Sequence, residues 1–206
     1  MDYHTGNTYK IIELKNKKLV SCSDDNSIIF YFKNNDKYQL DYKINTKGSC
    51  RSIVQTKQNE IAYLETANYL NYNISFFDFN EKVIKSTISN LNSCGNLGPF
   101  NMITKDLLVY ARNNLLYLIN VNEYKIISFI NVPDSFSIYG FCMLNKNTFL
   151  TGGSYGGIRQ WKIEGENIVL FSQKEKAHNS NIIFALTKLK NGKIATCSND
   201  NSIEIW

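Results

Sequence analysis

Fifteen residues at 14–28 (LKNKKLVSCSDDNSI) reappear at 189–203 (LKNGKIATCSNDNSI), identical at ten positions without a gap and 175 residues apart. A chain that carries one segment twice at that separation builds one unit of structure more than once. The second copy lies within 178–206, which divides into three strand-like runs at 182–189, 193–198 and 202–206. Asn191-Gly192 and Asn199-Asp200-Asn201 separate them, residue types that tolerate tight turns and positive φ. Three strands joined in this way form an antiparallel meander.

The period decides the architecture. The position near the end of the third strand falls at Tyr31, Phe77, Ile119, Trp161 and Trp206, at intervals of 46, 42, 42 and 45 residues. A unit of about 40–45 residues with up to four strands is the signature of a propeller blade. The expected fold is therefore all-β: a β-propeller of about five blades of antiparallel four-stranded sheet. Blade boundaries fall near 4–44, 45–88, 89–130, 131–174 and 175–206, and no stretch of ten residues shows a helical period.

His178, Thr196, Asp200 and Trp206 resemble the His–Ser/Thr–Asp–Trp tetrad of WD-repeat blades, with the hydroxyl residue four before the Asp and the aromatic six after it. The first unit repeats the spacing as His4, Ser21, Asp25 and Tyr31. The fourth keeps Thr151 and Trp161 but has Tyr155 in the Asp position and no evident His; Phe77-Asp78 is a softened Trp-Asp pair. The resemblance spans nearly the whole chain and is strongest in the first, fourth and fifth units. It implies a degenerate WD-repeat propeller in which His precedes the first strand, Ser/Thr lies on the second, Asp in the next turn and Trp on the third.

Composition bounds the rest. A chain of 206 residues with 43% hydrophobic content buries a core without disulfides or metal. Its net charge of +5 comes from basic residues scattered singly and in pairs, the densest run being KNKK at 15–18 in an expected turn. Cys22, Cys50, Cys94, Cys142 and Cys197 are odd in number and lack CxxC spacing, so neither a disulfide scaffold nor a zinc site is expected. With no apolar leader and no apolar run of 18 residues, the expectation is an intracellular, cytoplasmic protein without a membrane span.

Two segments read as connections: ANYLNYN at 67–73, between the second and third strands of the second unit, and SNLNSCGNLGPF at 89–100, between blades. The third unit, 101–130, is compact and apolar, as buried strands are.

The His–Ser/Thr–Asp sets invite a nucleophile–base–acid reading. Two copies at equivalent repeat positions favour instead a structural brace, the role the WD-repeat resemblance implies. The glycine-rich 151–157 segment lacks the Lys of a P-loop, and two distant histidines do not suggest a metal centre. The expectation is a non-enzymatic protein without cofactor.

That leaves binding. In WD-repeat proteins the loop before the first strand and the turn between the second and third open on one, upper, face that carries protein or peptide partners. The residues just before the Asp position are Asp24, Arg112, Ser154 and Asn199, and the second unit adds Tyr69, Leu70 and Tyr72. Tyr and Arg are enriched in binding hot spots; the alternative is that the rings fold back on the blade edge. The expected function is a protein–protein scaffold or adaptor, the alternative a nucleic-acid- or phosphoinositide-binding propeller using the positive charge. The fifth unit stops after its third strand, so an incomplete ring is expected, with its missing outer strand supplied by more of a longer propeller or by another chain.

Overall fold

The computed structural model describes residues 3–68, 71–92, 97–132, 137–179 and 181–206. Among them the only helical turn is a 3-10 turn at Ser154–Gly156. The chain divides into two compact units, Met1–Cys94 and Gly95–Trp206.

The first unit holds two four-stranded antiparallel blades. Blade 1 comprises β1 (Thr8–Glu13), β2 (Leu19–Ser23), β3 (Ser27–Asn34) and β4 (Lys37–Asn45). Blade 2 comprises β5 (Cys50–Lys57), β6 (Glu60–Asn68), β7 (Asn71–Asp78) and β8 (Val83–Asn92). Turn chemistry sets the hairpins. Asn35 and Asp36, both at positive φ, make the two-residue turn between β3 and β4, whose twist matches that of the flanking strands.

The second unit holds three blades. Blade 3 comprises β9 (Leu97–Met102), β10 (Leu107–Arg112), β11 (Leu115–Asn120) and β12 (Lys125–Asn131). Blade 4 comprises β13 (Ile138–Asn145), β14 (Thr148–Gly153), β15 (Ile158–Glu164) and β16 (Asn167–Lys174). Blade 5 is three-stranded: β17 (Ile183–Lys188), β18 (Ile194–Ser198) and β19 (Ile203–Ile205).

Strand positions follow the repeat, and two segments differ from their sequence reading. Much of 67–73 is strand: β6 runs to Asn68, β7 starts at Asn71, and the two pair as far as Asn68 opposite Asn71. The polar residues there are carried by a longer ladder, because β8 also extends to pair Tyr72 with Leu91 and Asn71 with Asn92. The segment 89–100 likewise contains the end of β8 and the start of β9, so the innermost strand of blade 3 begins inside the glycine-containing stretch.

Each blade has two faces, fixed by register. In blade 1, Val20 and Cys22 of β2 lie opposite Phe30 and Ile28 of β3 on what we call the leading face; Ser21 and Leu19 belong to the trailing face. The leading face of blade 1 packs on the trailing side of blade 2: Val20, Cys22, Ile28 and Phe30 share a core with Ile53, Ile61, Tyr63 and Phe77. Blade 3 covers blade 4 in the same way, Val109, Ala111, Leu116 and Leu118 meeting Phe149 and Trp161. Blade 4 meets blade 5 through Cys142, Leu150 and Ile158 against Ile183 and Leu186. There the fit needs small residues: a Cβ on Gly140 would lie 2.4 Å from Leu186, and one on Gly152 2.6 Å from Ile183.

Phe30 is fully buried, its ring 4.4 Å from that of Tyr42 and 6.2 Å from that of Phe77. Phe30→Ala is expected to cost about 3–5 kcal/mol. Chemical denaturation of the wild type and the variant checks this, the expected result being a lower midpoint with an unchanged slope.

Candidate functional site

The tetrad residues of blade 5 form one hydrogen-bonded chain. Trp206 Nε1 lies 2.9 Å from Thr196 Oγ1, Thr196 Oγ1 2.7 Å from His178 Nε2, and His178 Nδ1 3.1 Å from Asp200 Oδ2. An indole N–H only donates. With a neutral imidazole, donation therefore runs from Trp206 to Thr196 to His178 to Asp200. The Ser202 hydroxyl closes the set by donating to Asp200 Oδ1 at 2.7 Å. Blade 1 matches it: Tyr31 OH and Ser21 Oγ are 2.9 Å apart, Ser21 Oγ and His4 Nε2 2.7 Å, and His4 Nδ1 and Asp25 Oδ2 3.1 Å. Ser27 donates to Asp25 Oδ1 at 2.5 Å and the Thr5 N–H to Oδ2 at 3.0 Å.

These bonds shape the electrostatics. Burial alone would push the Asp25 carboxyl up, but the bonds from Ser27, the Thr5 N–H and His4 outweigh it and hold the group well below the usual carboxylate range. Asp200 is held low chiefly by the Ser202 hydroxyl, against some desolvation, with the Ser202 N–H and His178 adding. Both sets reproduce the order of contacts of a hydrolytic triad, yet Ser21, Thr196 and His178 are each only 1% exposed. Each hydroxyl already accepts from its aromatic partner and donates its proton to an imidazole.

Blade 4 keeps half of the pattern. Trp161 donates to Thr151 Oγ1 at 2.8 Å. Tyr155, in the Asp position, is 56% exposed and held at φ 63, a conformation costly for a bulky side chain. Beside it Gly156, also at positive φ, comes so close to the His178 loop that a Cβ there would lie 2.5 Å from the His178 carbonyl oxygen. In blade 2 a residue that spacing does not single out plays the bracing part. Glu65, 1% exposed, accepts from the Ser75 hydroxyl at 3.2 Å and the Lys47 N–H at 2.8 Å, tying the third strand to the loop before the first. A carboxylate directly after the apolar run Ile61–Leu64 is the sequence signal for it.

The upper-turn residues divide into three groups. Asp24, Ser154 and Asn199 make one repeated clamp, each N–H donating to the carbonyl of the loop before the inner strand, at Asn7, Ser137 and Ile182. Their side chains strengthen it: Asn7 Nδ2 donates to Asp24, the Ser137 N–H to Ser154, and the Ile182 N–H to Asn199. Arg112 is buried, 3% exposed, at the end of β10. Tyr72 is half-buried on β7, paired with Thr66 and Leu91. Tyr69 and Leu70 lie outside the described residues.

A second set lies at the same end of the blades. Near the upper start of the inner strand the ladder skips one residue in four blades: Tyr9, Arg51, Tyr139 and Phe184. Such bulges re-aim a side chain. In the first unit the Arg51 guanidinium sits 4.3 Å above the Tyr9 ring, and the Tyr9 hydroxyl donates to Asp24 at 3.4 Å. In the second, Tyr139 and Phe184 meet edge to face at 6.0 Å. Tyr9 and Phe184 are 44% and 50% exposed.

No protein-family model and no curated protein matches the sequence. Solved structures do. A chain in the crystal structure of a mitotic checkpoint complex superposes with a TM-score of 0.78 at 11% identity, over 100% of this chain and 63% of that one. The β-propeller domain of Cps50 (Swd1) from Myceliophteria thermophila gives 0.76 at 14% identity, over 98% of this chain and 70% of that one. The chain thus spans less than two thirds of the first neighbour. At these identities the likeness establishes the fold: an all-β propeller of five blades, the last with three strands.

Asp25→Ala is expected to cost about 1–3 kcal/mol, because it leaves His4, Ser27 and the Thr5 N–H without their acceptor. The sign with pH follows from the lowered carboxyl: its stabilisation is complete above the unfolded value of about 4 and fades as pH falls toward the folded one. The gap in unfolding free energy between wild type and Asp25→Ala should therefore be constant above about pH 5 and narrow below about pH 4. Denaturation series across that range measure it.

Proposed function

We propose that the chain is a non-enzymatic, WD-repeat-type scaffold that binds other proteins or peptides through the upper ends of its blades. The observation that carries this is the repeated bulge of the inner strand, at Tyr9 and Arg51 in the first unit and at Tyr139 and Phe184 in the second. Tyr and Arg are hot-spot residue types, and the Arg51–Tyr9 and Tyr139–Phe184 contacts hold the rings in place before any partner arrives. Tyr72, half-buried on β7, extends the proposed face on blade 2. Asp24, Ser154 and Asn199 take part as the clamps that position these loops. A fold neighbour solved within a protein complex supports the same class of function.

The tetrads serve in this reading as braces. Their hydroxyl oxygens are buried and already bonded, so no scissile group reaches them. A polyanion reading is less well supported, since many lysines face carboxylates. Lys17 lies 2.8 Å from Glu13, Lys18 2.6 Å from Asp41 and Lys33 2.8 Å from Asp36, and Lys125 pairs with Glu123.

Affinity capture from the native cell tests the proposal, comparing wild type with Arg51→Ala, Phe184→Ala and Phe171→Ser. Phe171 is exposed on the outer strand β16, away from the upper ends. The first two variants should lose most of the wild-type partner set and the third retain it. Unchanged capture by Arg51→Ala and Phe184→Ala, or loss only with Phe171→Ser, would overturn it.

A further inference from the structure

The bulged start of the inner strand carries different chemistry in the two units. In blades 4 and 5 the bulged residue and its successor are Tyr139-Gly140 and Phe184-Ala185, without charge. In blades 1 and 2 they are Tyr9-Lys10 and Arg51-Ser52, so the first unit sets two cations on the inner strands of two packed blades. The two pairs interlock. Arg51 reaches back to cover the Tyr9 ring at 4.3 Å, and Lys10 Nζ reaches forward to donate to Ser52 Oγ at 3.4 Å.

Both cationic side chains are half-buried. Among the described residues the Arg51 guanidinium has no hydrogen-bond or ion-pair partner, and its Nε is enclosed. Burial holds the Lys10 ammonium below the usual lysine range, with the Cys22 thiol opposing. A cation short of water gains more from an added anion than one already hydrated. The carboxylates at this end of the two blades are engaged elsewhere. Asp25 accepts from His4, Ser27 and the Thr5 N–H, and Glu65 from Ser75 and the Lys47 N–H. Asp24 accepts from Asn7 and Tyr9.

We propose that Arg51 and Lys10 form a subsite for one anionic group, a carboxylate or phosphate, carried on an acidic peptide bound at this end of the blades. The subsite rests on the peptide-binding reading above and names the chemistry that reading selects. Arg51, already fixed against a ring, offers a planar fork that matches two oxygens, and Lys10 adds a point charge. Two cations beside Asp24 suit a single anionic side chain, whereas a nucleic-acid backbone needs a longer basic stripe.

NMR titration of the full chain tests this, following the amide signals of Lys10, Arg51 and Ser52. The probes are the capped tripeptides Gly-Glu-Gly, Gly-phosphoserine-Gly and Gly-Gln-Gly, inorganic phosphate, and a short oligothymidylate. The Glu or the phosphoserine peptide should move these signals saturably, and the Gln peptide should not. Arg51→Gln and Lys10→Gln should each abolish the saturation while the rest of the spectrum stays that of the folded chain. Arg51→Lys, which keeps the charge but not the fork, should retain part of it. Five results would each overturn the proposal: no saturation with either acidic peptide, an equal response to Gly-Gln-Gly, a response that survives both Gln variants, inorganic phosphate acting where neither acidic peptide does, or tighter binding of the oligothymidylate. A chain whose capture fails with Arg51→Ala, but whose signals respond alike to the Glu and Gln peptides, keeps its binding face and loses only this subsite.

Discussion

A twisted four-stranded sheet with two apolar faces has to bury both, and that requirement organises this molecule. Within each unit the answer is one blade's leading face laid on the next blade's trailing face. The residues follow from that geometry. Bulky aliphatics and aromatics such as Phe30, Tyr63, Phe149 and Trp161 occupy the filled interfaces, while glycines occupy blade 4 where Leu186 must enter. Burial of this kind is non-directional and proportional to area, which explains how a blade can lose its sequence signature and still stack. Blade 3 keeps none of the tetrad, yet its Val109, Ala111, Leu116 and Leu118 are as fully buried as Val20, Ile28 and Phe30 of blade 1.

Directional bonds do a different job. Stacking alone does not fix how the connecting loop enters a blade, and the His–Asp sets of blades 1 and 5 and Glu65 of blade 2 supply that. Each ties the loop before the inner strand to the second and third strands. The clamp made by Asp24, Ser154 and Asn199 adds a second tie one residue away. Together they hold the inner-strand starts, where Tyr9, Arg51, Tyr139 and Phe184 are turned aside by their bulges. The rigid part of the blade thereby positions the part open to solvent.

How much of this could be read from the sequence depended on the kind of signal. The blades were legible because their turns need Asn, Asp and Gly at fixed places, and the tetrad spacing survived in blades 1 and 5. The inner strand of blade 3 was hidden because Leu97–Met102 looks like a loop, with Gly98 and Pro99 within it. Strand extension at Asn68 and Asn71 was hidden because backbone ladders, not side chains, carry it. The bulged residues left no trace in composition, since a bulge is a property of pairing register. Arg112 shows the limit of spacing alone: its place in the repeat is a turn end, but its side chain is buried.

Blade 5 packs its trailing face on blade 4, and its third strand, Ile203–Ile205, is three residues long and exposed throughout. In a stacked repeat, stability is close to a sum of what each unit contributes and what each interface adds. An exposed strand of three residues stands at the low end of that sum. Amide protection should therefore be graded along the second unit, deep in β10, β11 and β14 and shallow in β19, so that the first opening motion is fraying of the final hairpin and not loss of the whole unit.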